Sequence, residues 1–141
     1  MKQKIAILGS TGSIGSSLLN IIKRDKNKFQ IVLLTANKNY KKILLQARLF
    51  NVKNLLISNK NIYNKLHKEK KYKMFNFFNS FDDLKKIFKL KKVDYIMSAI
   101  TGVEGLVPTI KSIKYTKKIA IANKEAIICG WNLIKIQLKK Y

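Results

Sequence analysis

Acidic residues are scarce in this 141-residue chain: seven Asp and Glu stand against 30 Lys and Arg, for a formal charge of +23. Cysteine occurs once, at Cys129, which excludes an internal disulfide and a cysteine-rich metal site. Histidine also occurs once, as His67 in a lysine-rich stretch, where a solvated surface residue is expected rather than a ligand. Proline is found once and glycine six times, and no Pro/Gly/Ser-rich run marks a linker. No apolar run approaches the roughly 18–20 residues of a membrane helix. The opening Met1-Lys2-Gln3-Lys4 leads into a run too short for a signal peptide. No membrane partner is expected, and a cytosolic or organelle-lumen location is the default.

Arginine is scarce too: only Arg24 and Arg48 occur, and every other cation is lysine. Lys, Asn, Ile, Phe and Tyr are abundant, as an AT-rich coding sequence produces. A dedicated reader of nucleic acid usually employs arginine for bidentate contacts. The charge is therefore read as compositional bias that would help attract a small anion, and no nucleic-acid partner is expected. A hydrophobic content of 47% is ordinary for a globular chain and ample for one domain's core.

What is present begins with a loop, Gly9-Ser10-Thr11-Gly12-Ser13-Ile14-Gly15, between the apolar run Ile5-Ala6-Ile7-Leu8 and an amphipathic stretch. Strand, glycine turn and helix form the layout of a dinucleotide-binding βαβ unit, in which a pyrophosphate sits against the helix N-terminus. The spacing is G-x-x-G-x-x-G rather than G-x-G-x-x-G, so a plain turn is the alternative. A first helix is expected from Thr11 or Gly12 to Arg24 with Ile14, Leu18 and Ile22 as its buried stripe. A second strand spans Phe29 to Thr35, and its continuous apolar core is that of a strand covered on both faces.

The following turn, Ala36-Asn37-Lys38-Asn39, lacks the acid that NAD-preferring units place at this strand end to bond the ribose 2′-OH. Lys38 instead offers a cation to a 2′-phosphate, which favours NADP; one more surface lysine is the alternative. A helix is expected over Tyr40–Phe50 and a third strand over Asn54–Ser58. Further on come a helix over Ile62–Lys70, a possible short strand over Lys73–Phe77, and a helix from a Ser80 cap to about Leu90. Phe75, Phe77, Phe78, Phe81 and Phe88 are assigned to packing. Val93–Met97 is the fourth main strand, Val103–Tyr115 a helix, and Lys118–Ile121 the fifth main strand. A last helix, broken near Cys129-Gly130, runs to about Lys139. This alternation predicts an α/β fold: a single Rossmann-like domain with a doubly wound parallel sheet ordered 3-2-1-4-5.

Three stretches in order carry a family likeness: Ile7 through Gly15, the Ala36–Asn39 turn, and Ile121-Ala122-Asn123-Lys124-Glu125 followed by Cys129-Gly130. Together they resemble the N-terminal NADPH-binding domain of the 1-deoxy-D-xylulose 5-phosphate reductoisomerases, across essentially the whole chain. The resemblance implies that Thr11, Gly12, Ser13 and Ile14 hold the NADPH pyrophosphate. It also implies that Asn37, Lys38 and Asn39 surround the 2′-phosphate, and that Asn123 and Glu125 lie near the nicotinamide half. Lys124 matches a substrate-contacting lysine. Asn37 stands where many relatives have glycine. Read from the residues, the Asn-Lys-Glu run offers an amide, a cation and an acceptor to the crevice, or else simply begins a helix.

The family enzyme converts 1-deoxy-D-xylulose 5-phosphate to 2-C-methyl-D-erythritol 4-phosphate, using NADPH and Mg²⁺ or Mn²⁺, as a homodimer in the bacterial cytoplasm or in plastids. No Asp or Glu follows Glu125 here, so the metal ligands and catalytic residues are expected to lie outside these 141 residues. That implies a fragment, a truncated product or one piece of a split gene that binds NADPH without turnover alone. The rival readings are the coenzyme domain of an aspartate-semialdehyde or homoserine dehydrogenase and, from another class, a basic nucleic-acid-binding module.

Overall fold

The computed structural model describes residues 1–89 and 91–141. Strands and helices alternate. The first half runs β1 (Gln3–Leu8), α1 (Ser13–Arg24), β2 (Phe29–Ala36), α2 (Tyr40–Phe50), β3 (Asn54–Ile57) and α3 (Lys60–Lys68). The second runs β4 (Asn76–Phe78), α4 (Leu84–Phe88), β5 (Val93–Ser98), α5 (Leu106–Ile113), β6 (Thr116–Ile121) and α6 (Lys124–Lys140). All strand pairings are parallel, in the order β4-β3-β2-β1-β5-β6.

The five main strands keep the expected order. The short strand expected over Lys73–Phe77 falls at Asn76–Phe78, registered on Asn54–Leu56, and the correction is to the order, since it extends the sheet as a sixth strand at the edge. Three residues are too few to show a period of two, so only pairing with β3 makes them a strand.

Alternation along β1 divides the core. Ile5 and Ile7 pack with Leu19 and Ile22 of α1, Ile43, Leu44 and Ala47 of α2, and Leu66 of α3. Ala6 and Leu8 face the opposite layer with Leu84, Phe88, Ile96 and Tyr115. Successive strand residues point to opposite faces, so both sheet faces are apolar and both are covered.

Four local expectations change. Helix α1 starts at Ser13, and its buried stripe is Gly15, Leu19 and Ile22; Ile14 is 43% exposed. Ser80 does cap, accepting from the Asp82 N–H at 3.1 Å, but it begins a 3-10 turn (Phe81–Asp83) before α4. The expected end of that helix at Leu90 lies outside the described residues. A 3-10 turn (Val103–Gly105) likewise precedes α5, leaving Pro108 in the first turn of α5. Helix α6 runs unbroken through Cys129 and Gly130. Gly130 is there because α5 packs on it: a Cβ would run into Leu106, whose Cγ lies 3.0 Å from that point.

Candidate functional site

The chain leaves β1, visits β2, β3 and β4 on one side, then crosses to β5 and β6 on the other. The loops after β1 and β5 therefore diverge at the carboxyl ends of adjacent strands, which is where open parallel sheets hold ligands. A cavity of about 400 Å³ lies there. Its walls are Gly9, Thr11 and Gly12 after β1, Thr35, Ala36 and Asn37 at the end of β2, and Ser58 after β3. Ala99, Ile100 and Thr101 after β5 close it, with Phe81, Glu104 and Pro108. A larger cavity of about 720 Å³ opens at the other ends of the strands, around Lys2, Lys4, Phe29 and Lys117, away from every predicted site residue.

The glycine loop is held rigidly from one side. The Gly9 N–H donates to Thr35 Oγ1 at 2.9 Å, and the Ser10 N–H to the Thr35 carbonyl at 2.9 Å. Ser10 is fully buried; its hydroxyl donates to Gln46 Oε1 at 2.8 Å, and Gln46 Nε2 returns a bond to the Ser10 carbonyl at 2.8 Å. Lys42 Nζ donates to the Thr11 carbonyl at 2.8 Å. Gly9 has φ +79°, and a Cβ there would sit 2.8 Å from the Ala99 carbonyl, so only glycine fits between the two loops. A Cβ on Gly15 would meet Ser10 Cα at 2.7 Å, which is how α1 packs so closely on the loop.

Gly12 caps α1 with no side-chain acceptor, and the first turn carries no acid. The first-turn N–H groups therefore remain open at the positive end of the helix dipole, an arrangement suited to a phosphate. Thr11 and Gly12 line the cavity, while Ser13 and Ile14 stand exposed on that first turn.

Asn37, Lys38 and Asn39 are all exposed where β2 passes into α2. Asn37 reaches the cavity wall, and Asn39 caps α2 by accepting from the Lys42 N–H at 3.2 Å. No ion pair engages Lys38 among the described residues.

Asn123, Lys124 and Glu125 come together where β6 enters α6, beside the β5 loop rather than in the cavity wall. Asn123 is 4% exposed and turned inward. Its amide donates to the Ile100 carbonyl at 2.6 Å and to the Gly102 carbonyl, and its oxygen caps α6 from the Ala126 N–H at 3.1 Å. The amide read as facing the crevice thus shapes the loop that lines it. Lys124 is exposed and Glu125 half-exposed on the first turn of α6.

Sequence reading missed Ser10, Thr35, Lys42 and Gln46 as supports of the loop. Lys42 and Gln46 are four apart, hence on one face of α2, and that spacing was the available signal. It also assigned Phe81 wholly to packing, whereas Phe81 forms part of the cavity wall. The turn carrying Phe81 is tied to α5 by Asp82 and Lys111 at 2.9 Å, and the lysine's hydrogen bond holds the Asp82 carboxyl below its usual range. No group of three or more His, Cys, Asp or Glu is placed to hold a metal ion among the described residues. No helix among them is long and apolar enough to cross a membrane.

Comparison with known proteins agrees with this geometry. The family model for 1-deoxy-D-xylulose 5-phosphate reductoisomerase matches residues 5–130. The reductoisomerase of Pelagibacter ubique is 61% identical over 99% of this chain and 36% of its own length. That of Bacillus subtilis is 31% identical over 99% of this chain, again 36% of its own length. Among solved structures, the Zymomonas mobilis enzyme in complex with NADPH superposes with TM-score 0.86 and 31% identity, over 99% of this chain and 37% of that one. A reductoisomerase complex with NADPH, fosmidomycin and magnesium also gives TM-score 0.86 at 31% identity, over 98% of this chain and 34% of that one. The chain thus spans little more than a third of the length of the relatives it matches. Over that span it belongs to the 1-deoxy-D-xylulose 5-phosphate reductoisomerase family.

Proposed function

We propose that residues 1–141 form the NADPH-binding domain of a reductoisomerase that converts 1-deoxy-D-xylulose 5-phosphate to 2-C-methyl-D-erythritol 4-phosphate. The observation that carries this is the cavity at the switch point, bounded by an acid-free helix N-terminus and by a β2 end that offers Lys38 in place of an acid. The pyrophosphate would be held at Thr11, Gly12, Ser13 and Ile14: the N–H groups of Thr11, Ser13 and Ile14 would turn from water to the anion at the dipole end, while Gly12, whose own N–H bonds the Gly9 carbonyl at 3.2 Å, would let the backbone come close. Asn37, Lys38 and Asn39 enclose the 2′-phosphate with one cation and two amides.

NADPH supplies the hydride. What this chain contributes is placement: the Gly9–Ala99 contact brings the β1 and β5 loops together, and Asn123 sets the second of them. Glu125 stands near the nicotinamide half, and Lys124, a compact cation at the crevice edge, meets the substrate's anionic group. Mg²⁺ or Mn²⁺ belongs to the complete enzyme, which we take to be a homodimer in a bacterial cytoplasm. Likeness to bacterial relatives supports this reading.

Titration of the 141-residue chain with NADPH, NADH and a DNA duplex tests the assignment. The expected order places NADPH at least tenfold tighter than NADH. Absence of NADPH binding at millimolar concentration, or micromolar duplex binding with no preference between the two nucleotides, overturns it.

A further inference from the structure

Lys42 stands apart from the other lysines near the cofactor site. It lies in the first turn of α2, directly after the turn read as the 2′-phosphate site, and its N–H is bound to Asn39 Oδ1 at 3.2 Å. Its ammonium, however, rests on the other half of the cradle, 2.8 Å from the carbonyl of Thr11, a residue 31 positions away in the chain. Lys38 and Lys41 are exposed, whereas Lys42 is half-buried. One turn further along the same face, Gln46 is bonded twice to Ser10, so this face of α2 is pinned to the loop. Lys42 therefore holds its charge between the end of β2 and the loop after β1. In a dinucleotide fold the substituent on ribose C2′ enters between these two elements.

The charge held there is uncompensated. Lys42 forms no ion pair among the described residues, and its partner is a neutral carbonyl that occupies one of three N–H donors. A lysine chosen only to brace a carbonyl would be replaceable by any neutral donor of similar reach. A phosphate, in contrast, uses the cation and the remaining donors together.

We propose that Lys42 is a specificity-determining residue for the phosphorylated nucleotide: its ammonium, stationed on the Thr11 carbonyl, pairs with the 2′-phosphate and so links the two halves of the cradle when the ligand is bound. This rests on the NADPH reading above, and it adds a second cation to Lys38.

The test compares Lys42→Met, Lys42→Arg and the unaltered chain in binding NADPH, NADH and 2′,5′-ADP, with a thermal melt of each variant. Lys42→Met is expected to weaken NADPH and 2′,5′-ADP by roughly tenfold while NADH changes less than about twofold. Lys42→Arg is expected to restore most of the loss, and the salt dependence of NADPH binding is expected to flatten in the Met variant. Equal losses for NADPH and NADH would show that Lys42 only braces the loop and would overturn the proposal, as would no loss at all. Failure of the unaltered chain to prefer NADPH is a different result, which removes the cofactor reading and this proposal with it.

Discussion

Asn123 shows how much one side chain can organise. It sits where β6 becomes α6 and ties that junction to the loop after β5. Its oxygen caps α6, and its nitrogen satisfies the carbonyls of Ile100 and Gly102 on the neighbouring loop. The space it occupies exists because residue 105 is glycine: a Cβ there would lie 2.7 Å from Asn123 Nδ2. Replacing Asn123 by Ala removes a cap, at about 1 kcal/mol, and strips partners from carbonyls beside a buried residue, at about 1–3 kcal/mol. The expected destabilisation of roughly 2–4 kcal/mol lowers the melting temperature by roughly 6–12 °C. Asn123→Asp keeps the capping oxygen but sets a carboxylate oxygen against the Ile100 and Gly102 carbonyls in a buried site, and should melt no higher than Asn123→Ala at pH 7. A melt of Asn123→Ala within about 1 °C of the unaltered chain would show that the network carries little weight.

At the scale of elements, Asp94 does for the far end of the sheet what Asn123 does for the site. Standing on β5, it accepts from the Lys4 N–H of β1 at 2.9 Å and pairs with Lys117 of β6 at 2.7 Å, fastening three adjacent strands. The Lys117 ammonium, and after it the Lys4 N–H, hold this carboxyl below its usual value. A carboxyl with a depressed folded pKa stabilises fully above its unfolded value of about 3.9 and loses that contribution as pH falls through the folded one. Asp94→Asn is therefore expected to melt lower than the unaltered chain at pH 7 and to converge with it as the pH drops below about 4. A constant difference between the two across that range would contradict the linkage.

The elements themselves were largely legible. Long apolar runs such as Ile31–Leu34 and the 3.6-residue period of Tyr40–Phe50 are properties of one segment, and α2 has the bounds that its period implies. Misreadings arose where a distant partner decides. The short edge strand has the bounds Asn76–Phe78 rather than Lys73–Phe77 because pairing with β3 sets them, and Ile14 is exposed because it is Gly15 that packs against the Ser10 backbone. The α6 helix continues through Gly130, and there Leu106 of α5 fills the space a side chain would take. At the site the same division holds. The glycine spacing and the acid-free β2 end are local and readable, while the Lys42–Thr11, Gln46–Ser10 and Gly9–Thr35 bonds join segments that no local pattern relates.

Across the whole molecule, the few acids have a telling arrangement. Asp25, Glu69, Asp82, Asp83 and Asp94 are each within 2.9 Å of a lysine. Glu104 and Glu125 have no ion-pair partner among the described residues, and both lie near the strand ends that form the candidate site. Two carboxylates on separate turns, without a third acid or a histidine beside them, do not make a divalent-cation site, since such ions need several oxygen ligands converging. The chain should therefore hold its nucleotide without help from a metal. Addition of millimolar Mg²⁺ or Mn²⁺ is expected to leave its melting temperature unchanged and to weaken NADPH binding only as much as added salt of equal ionic strength does, because a strongly cationic surface attracts the nucleotide and ions screen that attraction. A metal-dependent rise in melting temperature beyond the salt control, or tighter NADPH binding at constant ionic strength, would place a cation site within these residues after all, with Glu104 and Glu125 the first ligands to replace by glutamine.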